Sequence, residues 1–510
     1  MTGVRRLLCS FALAAGLRAG GPEAWIPARW EGGPLEVARR ARDKAPPDPR
    51  ARETIAGWYD PSTLALLDGM PVNCLVLTLI GGGDAKTAEQ QQSLVREYAR
   101  KAHERGLAVL GSVYPGAGPD AVASAAADAG LDGLVLEGDF AGIPGFAAHL
   151  AQELRSRNSA AVVIPVESSL KPAAKAASPV LAVEGASPGT GKLADSVTAS
   201  ASGGLWVDSN LWLVRSMRLN AGARPVWLTH RVNAGTPAPH LRSIADAAAA
   251  GARWMIALDD DLRRRLRSGD AQAAAQWRSM GDLVTFFGQH AEWPALAPFG
   301  NIGIIVDTAA PNPAGSEEFQ NLVARRRILY RLIDRSRLDA PSLDGLRAVL
   351  AFDLAPPAEA ERKLLRDFAA QGGLVLGGPA WGDPPKDQPY AVRSVGEGEI
   401  AVYKEDDPQS VAQDLNDLLT TPDFGVSFFN APSVLPCAGT DTGGDRLIIQ
   451  LVNYADAPAD ALTVWSTRRW KAARLYLPGS APADLPLKRS GGRTEIAIPR
   501  LPVYGALVLE

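Results

Sequence analysis

The chain has 510 residues, 46% of them apolar, and a formal net charge of −3. At the usual ~150 residues per domain this length predicts roughly three globular domains. The small negative charge provides no basic field for nucleic acid, so we expect no nucleic-acid partner. The three cysteines, Cys9, Cys74 and Cys437, are spaced too widely for a disulfide framework. The five histidines show no metal-ligand spacing, so the sequence predicts neither a metal nor a cofactor.

Residues 1–20 have the pattern of a secretory signal peptide. Arg5 and Arg6 form a charged start, and an apolar run from Leu7 to Leu17 is followed by small residues. We therefore expect an exported protein, either periplasmic or extracellular. No later stretch approaches the ~18 apolar residues of a membrane span, so we expect none.

Apolar runs alternate with helix-length segments through most of residues 21–296. Eight strands are predicted in this region: 73–79, 107–113, 133–137, 161–166, 180–184, 205–208, 225–229 and 253–258. Alternating strands and helices predict a parallel sheet with right-handed crossovers, and eight such units fit a (β/α)8 TIM-like barrel. Residues 24–30 offer another first strand. In that case the numbering shifts, and one of the short strands near 161–184 lies outside the barrel.

The pattern restarts near residue 297 and predicts a small Rossmann-like α/β domain over 297–424. Its predicted elements include a strand at 301–307, a helix at 317–334 and a strand at 346–352. Residues 425–510 lose helical periodicity. Their short strands, separated by Pro and Gly turns, predict an antiparallel β-sandwich.

This order of domains resembles that of family 42 glycoside hydrolases. The resemblance is carried by five stretches: Ala245-Asp-Ala-Ala-Ala-Ala-Gly-Ala-Arg-Trp254, Phe286-Phe-Gly-Gln-His290, Ile302-Gly-Ile-Ile-Val306, Leu364–Leu376, and Leu451-Val-Asn-Tyr454 through Val503-Tyr504. It covers about residues 240–510. The middle domain is also similar to the glutamine-amidotransferase fold, but residues 297–420 contain no cysteine nucleophile. The resemblance implies a structural middle domain and a homo-oligomer.

The same resemblance implies an acid/base Glu, preceded by Asn, at the end of the fourth strand, and a nucleophile Glu at the end of the seventh. Numbered from Asn73, the fourth strand ends in Val166-Glu167 and the seventh in Thr229-His230. The second position therefore has no carboxylate, which puts the family mechanism in doubt. Either another carboxylate serves, or the barrel is inactive.

A second arrangement centres on the apolar run 134–136, which ends in Glu137 and Asp139. The stretch Asp132-Gly-Leu-Val-Leu-Glu-Gly-Asp139 resembles the family 18 glycoside hydrolase signature, which belongs on the fourth strand and requires the alternative numbering. Carboxylates just past buried strands lie at the edge where α/β folds place active sites. The predicted catalytic residues are Glu137, Asp139, Glu167 and Asp208.

Other polar and aromatic residues follow the predicted strands. Asp208 opens Ser-Asn210-Leu-Trp212, with Trp212 expected in a loop, where it could stack on a sugar ring. The predicted substrate-binding residues are Glu184, Asn210, Trp212, His230 and Asp259. For each acid, the alternative is a helix cap. His230 could also be a general base or a satisfied polar residue.

Glycosidic cleavage requires two carboxyl groups across the bond, one of them held protonated. The sequence therefore predicts a secreted glycoside-hydrolase-like protein that acts on an oligo- or polysaccharide with carboxylates at the barrel mouth. The alternative is a catalytically inactive barrel that binds carbohydrate or serves as a scaffold.

Overall fold

A computed structural model describes residues 20–42, 46–81, 85–140, 142–167, 178–193, 196–197, 205–230, 239–307 and 314–510. The predicted signal peptide therefore lies almost wholly outside the described residues. The chain divides into two compact units. Unit 1 comprises residues 1–46, 55–68 and 72–163, and unit 2 comprises 47–54, 69–71 and 164–510.

Unit 1 is built on a parallel sheet in which each strand pairs with the next along the chain. Its strands are β1 (Pro27–Arg29), β2 (Cys74–Ile80), β3 (Ala108–Val113) and β4 (Gly133–Leu136), followed by the start of β5 (Val162–Glu167). The helices of unit 1 are α1 (Gly33–Arg42), α3 (Ala85–Glu104), α4 (Pro119–Asp128) and α5 (Phe146–Arg157), whereas most of α2 (Pro49–Ala56) belongs to unit 2. Strands β3 and β4 are buried at every position, as expected of a parallel strand covered on both faces.

The close approach of β4 and β5 depends on a glycine. A Cβ atom on Gly133 would lie 2.5 Å from the carbonyl oxygen of Val162. Only glycine fits there without moving one of the two strands.

Unit 2 has parallel strands of its own. Its strands are the remainder of β5, β6 (Leu181–Glu184), β7 (Val226–Thr229), β8 (Ala252–Trp254) and β9 (Ile256–Ala257), and its first helices are α6 (Leu211–Ala221), α7 (His240–Ala249), α8 (Asp260–Arg267) and α9 (Ala271–Gln289). β6 pairs with β5 and β7, and β7 pairs with β8, all in parallel.

The structure decides the strand numbering that the sequence left open. Pro27–Arg29 pairs with β2, so the first strand is the one offered within residues 24–30 and the numbering from Asn73 does not hold. The strand outside the barrel-like sheet is not one near 161–184 but the predicted strand 205–208. Val207–Asp208 pairs antiparallel with Gly189–Thr190, in a separate two-stranded ladder. Gly133–Leu136 is therefore the fourth strand, and Val162–Glu167 is the fifth.

A second, smaller parallel sheet follows in unit 2. Its strands are β10 (Ile302–Val306), β11 (Tyr330–Asp334), β12 (Ala348–Ala351), β13 (Leu374–Gly377), β14 (Tyr390–Val395) and β15 (Gly398–Tyr403), and its helices are α10 (Ala314–Arg325), α11 (Ala340–Leu343), α12 (Glu359–Ala370) and α13 (Pro408–Leu418). The strand order is β11-β10-β12-β13-β15-β14, and only β14 runs antiparallel to its neighbour.

The predicted helix at 317–334 is wrong in its second half. Helix α10 ends at Arg325, Arg327 has a left-handed backbone with φ 61°, and residues 330–334 form edge strand β11. Leu332 and Ile333 continue the helical apolar pattern but lie on a strand beside β10. A short apolar run does not distinguish the two structures by itself.

The C-terminal part of unit 2 contains two antiparallel sheets. Its strands are β16 (Val426–Phe429), β17 (Val434–Thr440), β18 (Leu447–Asn453), β19 (Ala459–Ser466), β20 (Ala473–Tyr476), β21 (Leu487–Ser490), β22 (Arg493–Leu501) and β23 (Tyr504–Leu509). One sheet has the order β17-β18-β23-β20, with two-residue strands at its edges, and the other has the order β16-β19-β22-β21. Side chains of both sheets share one core, including Ile449, Leu507, Leu462 and Ile498.

The predicted fold class is confirmed: a TIM-like, barrel-like parallel sheet with helices, then an α/β part, then antiparallel β-sheets. The domain limits, the amidotransferase likeness of the middle domain and the homo-oligomer stay predictions. Within the described part of the chain, none of the helices combines the length and apolar character needed to cross a bilayer.

Candidate functional site

Four polar residues gather where strands of unit 1 end. Arg29 is the last residue of β1, Glu31 lies two residues further, Tyr114 follows β3, and Glu137 follows β4. Arg29 donates to Glu137 at 2.6 Å and to Glu31 at 3.2 Å, and the Tyr114 hydroxyl donates to Glu31 at 3.3 Å. We call these four residues the Arg29 cluster. They lie at the carboxyl ends of parallel strands, where such folds place active sites.

The Arg29 cluster is largely removed from solvent. The side chains of Arg29, Glu31 and Glu137 are 11%, 8% and 9% exposed. Burial alone would lower the pKa of Arg29, but the carboxylates of Glu137 and Glu31 outweigh it and hold that pKa above its ordinary value. Arg29 is therefore a permanent cation, and its contact with Glu137 favours the ionised carboxylate.

Tyr114 is held neutral in the same surroundings. Burial, followed by the charges of Glu31 and Glu137, raises the pKa of Tyr114 well above its ordinary value. Its hydroxyl therefore keeps its proton and serves as a hydrogen-bond donor to Glu31.

A second set of charges supports the cluster from α1. Glu36 is fully buried and accepts from Arg39 at 2.6 Å, from Arg40 at 2.8 Å and from Thr78 at 3.2 Å. The guanidinium of Arg39 also lies over the Tyr114 ring, 4.4 Å from its centroid. Because Arg39 contacts both Glu36 and Tyr114, the α1 charges restrict the position of the ring.

Asp139 and Asp132 occupy different surroundings from Glu137. Asp139 is exposed, and its carboxylate accepts from the backbone N–H of Gly142 at 3.3 Å within the turn after β4. Asp132 precedes β4, where it accepts from the Val109 N–H at 2.7 Å and lies 2.9 Å from His103 Nε2. The family 18-like stretch thus divides between the two ends of β4.

Two predicted carboxylates in unit 2 end neighbouring strands. Glu167 closes β5 and Glu184 closes β6, and both are partly exposed. The β-ladders pair Glu167 with Val183, and Glu184 with Thr229 of β7. Registered residues share a face of the sheet while successive residues alternate, so the two carboxylates start from opposite faces. Burial raises the pKa of Glu167.

The predicted site residues Asp208, Asn210 and Trp212 lie in three different local surroundings. Asp208 accepts from the indole N–H of Trp206 at 2.9 Å. Asn210 is buried and donates its side-chain amide to Asp246 at 2.7 Å and to the Ala186 carbonyl at 2.8 Å. Trp212 was expected in a loop, but it lies in the first turn of α6. Its role in sugar stacking stays a prediction.

His230 and Asp259 are both buried. His230 Nε2 lies 2.9 Å from the Ser243 hydroxyl, and its ring stacks on Trp254 with centroids 5.2 Å apart. Asp259 accepts from the Leu262 N–H at 2.8 Å and so caps α8. These contacts are those of a satisfied polar residue and of a helix cap, the alternatives that the sequence offered for His230 and Asp259. The substrate-binding roles stay predictions.

Sequence reasoning missed Arg29, Glu31 and Tyr114. The pairing of Arg29 with Glu137 spans 108 positions, and no local pattern indicates it. The available signal was the position of Arg29 at the end of 24–30, the stretch already considered as a first strand. It also missed Asp246, which is buried on α7 and accepts from Tyr454 at 2.5 Å.

Together, the barrel-like parallel sheet, the α/β sheet and the antiparallel sheets that follow it define a glycoside-hydrolase-like fold, as predicted. The sequence matches no protein-family model and no curated protein. The structure is similar to α-L-fucosidase isoenzyme 2 from Paenibacillus thiaminolyticus, with a TM-score of 0.55, 11% identity, and 88% of this chain and 95% of that chain covered. It is also similar to the β-galactosidase from Rahnella sp. R3, with a TM-score of 0.50, 10% identity, and 95% and 98% covered. These similarities concern the fold.

Proposed function

We propose that the protein is a glycoside hydrolase in which Glu137 supplies the negatively charged carboxylate. The observation that carries this proposal is the 2.6 Å contact between Arg29 and Glu137 at the end of the fourth strand. Glycosidic cleavage passes through a transition state with oxocarbenium character, which an ionised carboxylate stabilises or attacks. The fold shared with a fucosidase and a β-galactosidase supports an oligo- or polysaccharide as the substrate class.

The proton donor requires the opposite chemistry, a carboxyl group that keeps its proton near neutral pH. Among the carboxylates predicted from the sequence, Glu167 is our candidate for this role, because burial raises its pKa. Asp139 and Asp208 are second choices, since each already accepts a hydrogen bond from its own neighbourhood.

The test is hydrolysis of a panel of aryl glycosides and unmodified oligosaccharides by the purified protein and two variants. Glu137→Gln is expected to lower kcat at least 100-fold on every substrate. Glu167→Gln is expected to lower it by 10²–10⁴-fold on oligosaccharides and less on aryl glycosides, whose leaving groups need little protonation. Glu104→Gln, on the exposed side of α3, is the matched control and should keep full activity.

A loss of folding must be separated from a loss of chemistry. For a covalent mechanism, Glu137→Ala supplemented with azide is expected to form a glycosyl azide, since a small anion replaces the missing carboxylate. Unchanged activity in both Gln variants, with folding intact, would overturn the assignment of roles.

A second function, carbohydrate binding without turnover, is favoured by the end of the seventh strand. β7 is followed by His230 instead of a carboxylate, and His230 is buried against Ser243 and Trp254. This function predicts retention of specific sugars on a glycan array, with no released product after prolonged incubation. Cleavage by the wild-type protein that is lost in Glu137→Gln would exclude it.

The predicted export stays a proposal based on residues 1–20. Sequencing the N-terminus of protein recovered outside the cytoplasm of a bacterial host tests it. A mature chain that begins near residue 20 is expected. Retention of Met1 in the cytoplasm would contradict it.

A further inference from the structure

Three potential metal ligands converge on the surface of unit 1. Asp120 lies in the first turn of α4, and His149 and Glu153 lie on α5. His149 Nε2 is 3.4 Å from Asp120 Oδ1 and 4.0 Å from Glu153 Oε1. All three ligand atoms lie within 4.8 Å of one another.

Both separations are long for hydrogen bonds, and the one between His149 and Asp120 is close to that of two ligands of one metal ion. A well-formed N–H···O bond measures about 2.7–3.2 Å, shorter than either contact of His149. Tetrahedral Zn²⁺, with bonds of about 2.0–2.2 Å, places its ligand atoms roughly 3.3–3.6 Å apart. The 3.4 Å between His149 and Asp120 fits this spacing, and the 4.0 Å between His149 and Glu153 has to shorten when the metal binds. A single nitrogen, Nε2, is directed at both carboxylates, although it carries at most one proton. A cation among the three atoms would satisfy all of them.

Packing of the two helices holds the backbone of the three ligands in place. Leu150 of α5 and Val122 of α4 are fully buried. His149 and Glu153 are four residues apart and so share one face of α5. The side chains of Asp120, His149 and Glu153 are 73%, 53% and 29% exposed, so a metal can enter and water can complete its shell.

We propose that Asp120, His149 and Glu153 form a binding site for a divalent transition metal of the zinc class, with one imidazole and two carboxylate ligands. The site is independent of the proposed glycosidase function. It also runs against the absence of metal predicted from the sequence, which considered the spacing of histidines alone. Arg157 lies 3.5 Å from Glu153 and competes for that carboxylate. We therefore expect micromolar affinity.

Calorimetric titration of the untagged, metal-free protein with ZnCl₂ tests the site. One strong site is expected, and His149→Ala should weaken it by 10–100-fold, with Asp120→Asn and Glu153→Gln each weakening it as well. The matched control is His103→Ala, because His103 pairs at 2.9 Å with a single carboxylate, Asp132. This variant should bind Zn²⁺ like the wild type.

Two further readouts make the result decisive. Co²⁺ bound to the wild type should give the intense visible absorption of tetrahedral coordination, and His149→Ala should lose it. Zn²⁺ should raise the unfolding temperature of the wild type but not of His149→Ala, because a ligand of the folded state stabilises it. The proposal is overturned if Zn²⁺ does not bind at millimolar concentration, or if His103→Ala weakens binding as much as His149→Ala.

Discussion

Replacing Arg29 by methionine tests the central ion-pair cluster most directly. Arg29→Met keeps an unbranched apolar stem but removes the cation between Glu31 and Glu137, which lie 3.2 and 2.6 Å from it. Both carboxylates are more than nine-tenths buried. Removing one member of a buried pair and leaving its partner charged costs about 3–5 kcal/mol. For a unit of this size, that loss lowers the unfolding temperature by roughly 6–20 °C.

The pH dependence of the loss identifies its cause. Without Arg29, the buried surroundings favour the neutral form of the two carboxyl groups over the charged form. At low pH both groups can take up a proton and avoid the cost of a buried charge, and this relief is lost as pH rises. The difference between wild type and Arg29→Met should therefore be small near pH 4 and grow toward pH 7.

The measurement is thermal unfolding followed by tryptophan fluorescence and far-UV circular dichroism at several pH values. Arg100→Met is the control, because Arg100 pairs with Glu104 on the exposed side of α3, where both side chains are more than half exposed. It should change stability by less than about 0.5 kcal/mol. The electrostatic account of the cluster is refuted if Arg29→Met unfolds at the same temperature as the control at pH 7. It is also refuted if the loss of stability in Arg29→Met does not vary with pH.

Three other substitutions probe the fold. Gly133→Ala should destabilise unit 1 by more than 2 kcal/mol in denaturant unfolding, because its Cβ would meet the backbone of β5 at 2.5 Å. Gly288→Ala, with open space around it, should not. Tyr454→Phe removes the 2.5 Å hydrogen bond to fully buried Asp246, and chemical denaturation should show a loss of about 1–3 kcal/mol; an unchanged midpoint would contradict it. Burial lowers the pKa of His240, against a smaller opposing effect of Asp259, so stability should fall as pH drops below ~6.5. His240→Gln should flatten that slope between pH 7 and 5, and an unaltered slope would exclude His240 as its source.

The helix predicted at 317–334 shows where local pattern fails. Apolar residues at helical spacing run through the whole segment, yet α10 ends at Arg325 and β11 begins at Tyr330. The strand forms because β10 offers an unpaired edge beside it, and its five residues pair with β10 in register. That edge exists only after β10 has joined its sheet, so no window of sequence contains it.

The strands themselves were largely readable from the sequence. The predicted runs at 107–113, 133–137 and 225–229 each differ from the observed strands β3, β4 and β7 by one residue. A strand covered on both faces needs a continuous apolar run, and that run is a local property. The barrel-like fold class and the order of its parts follow from such runs.

The tertiary structure alone set the first strand and the partners of the candidate site. Pro27–Arg29 has three residues and no apolar run, and it is a strand because β2 pairs with it. Glu137 was evident as a carboxylate past a buried strand, but its counter-charge, Arg29, lies 108 positions earlier. Burial of a strand depends on its own residues, whereas the partner of a charge depends on how distant strands align. Sequence periodicity therefore predicts which strands are buried, but it does not predict which distant charges pair.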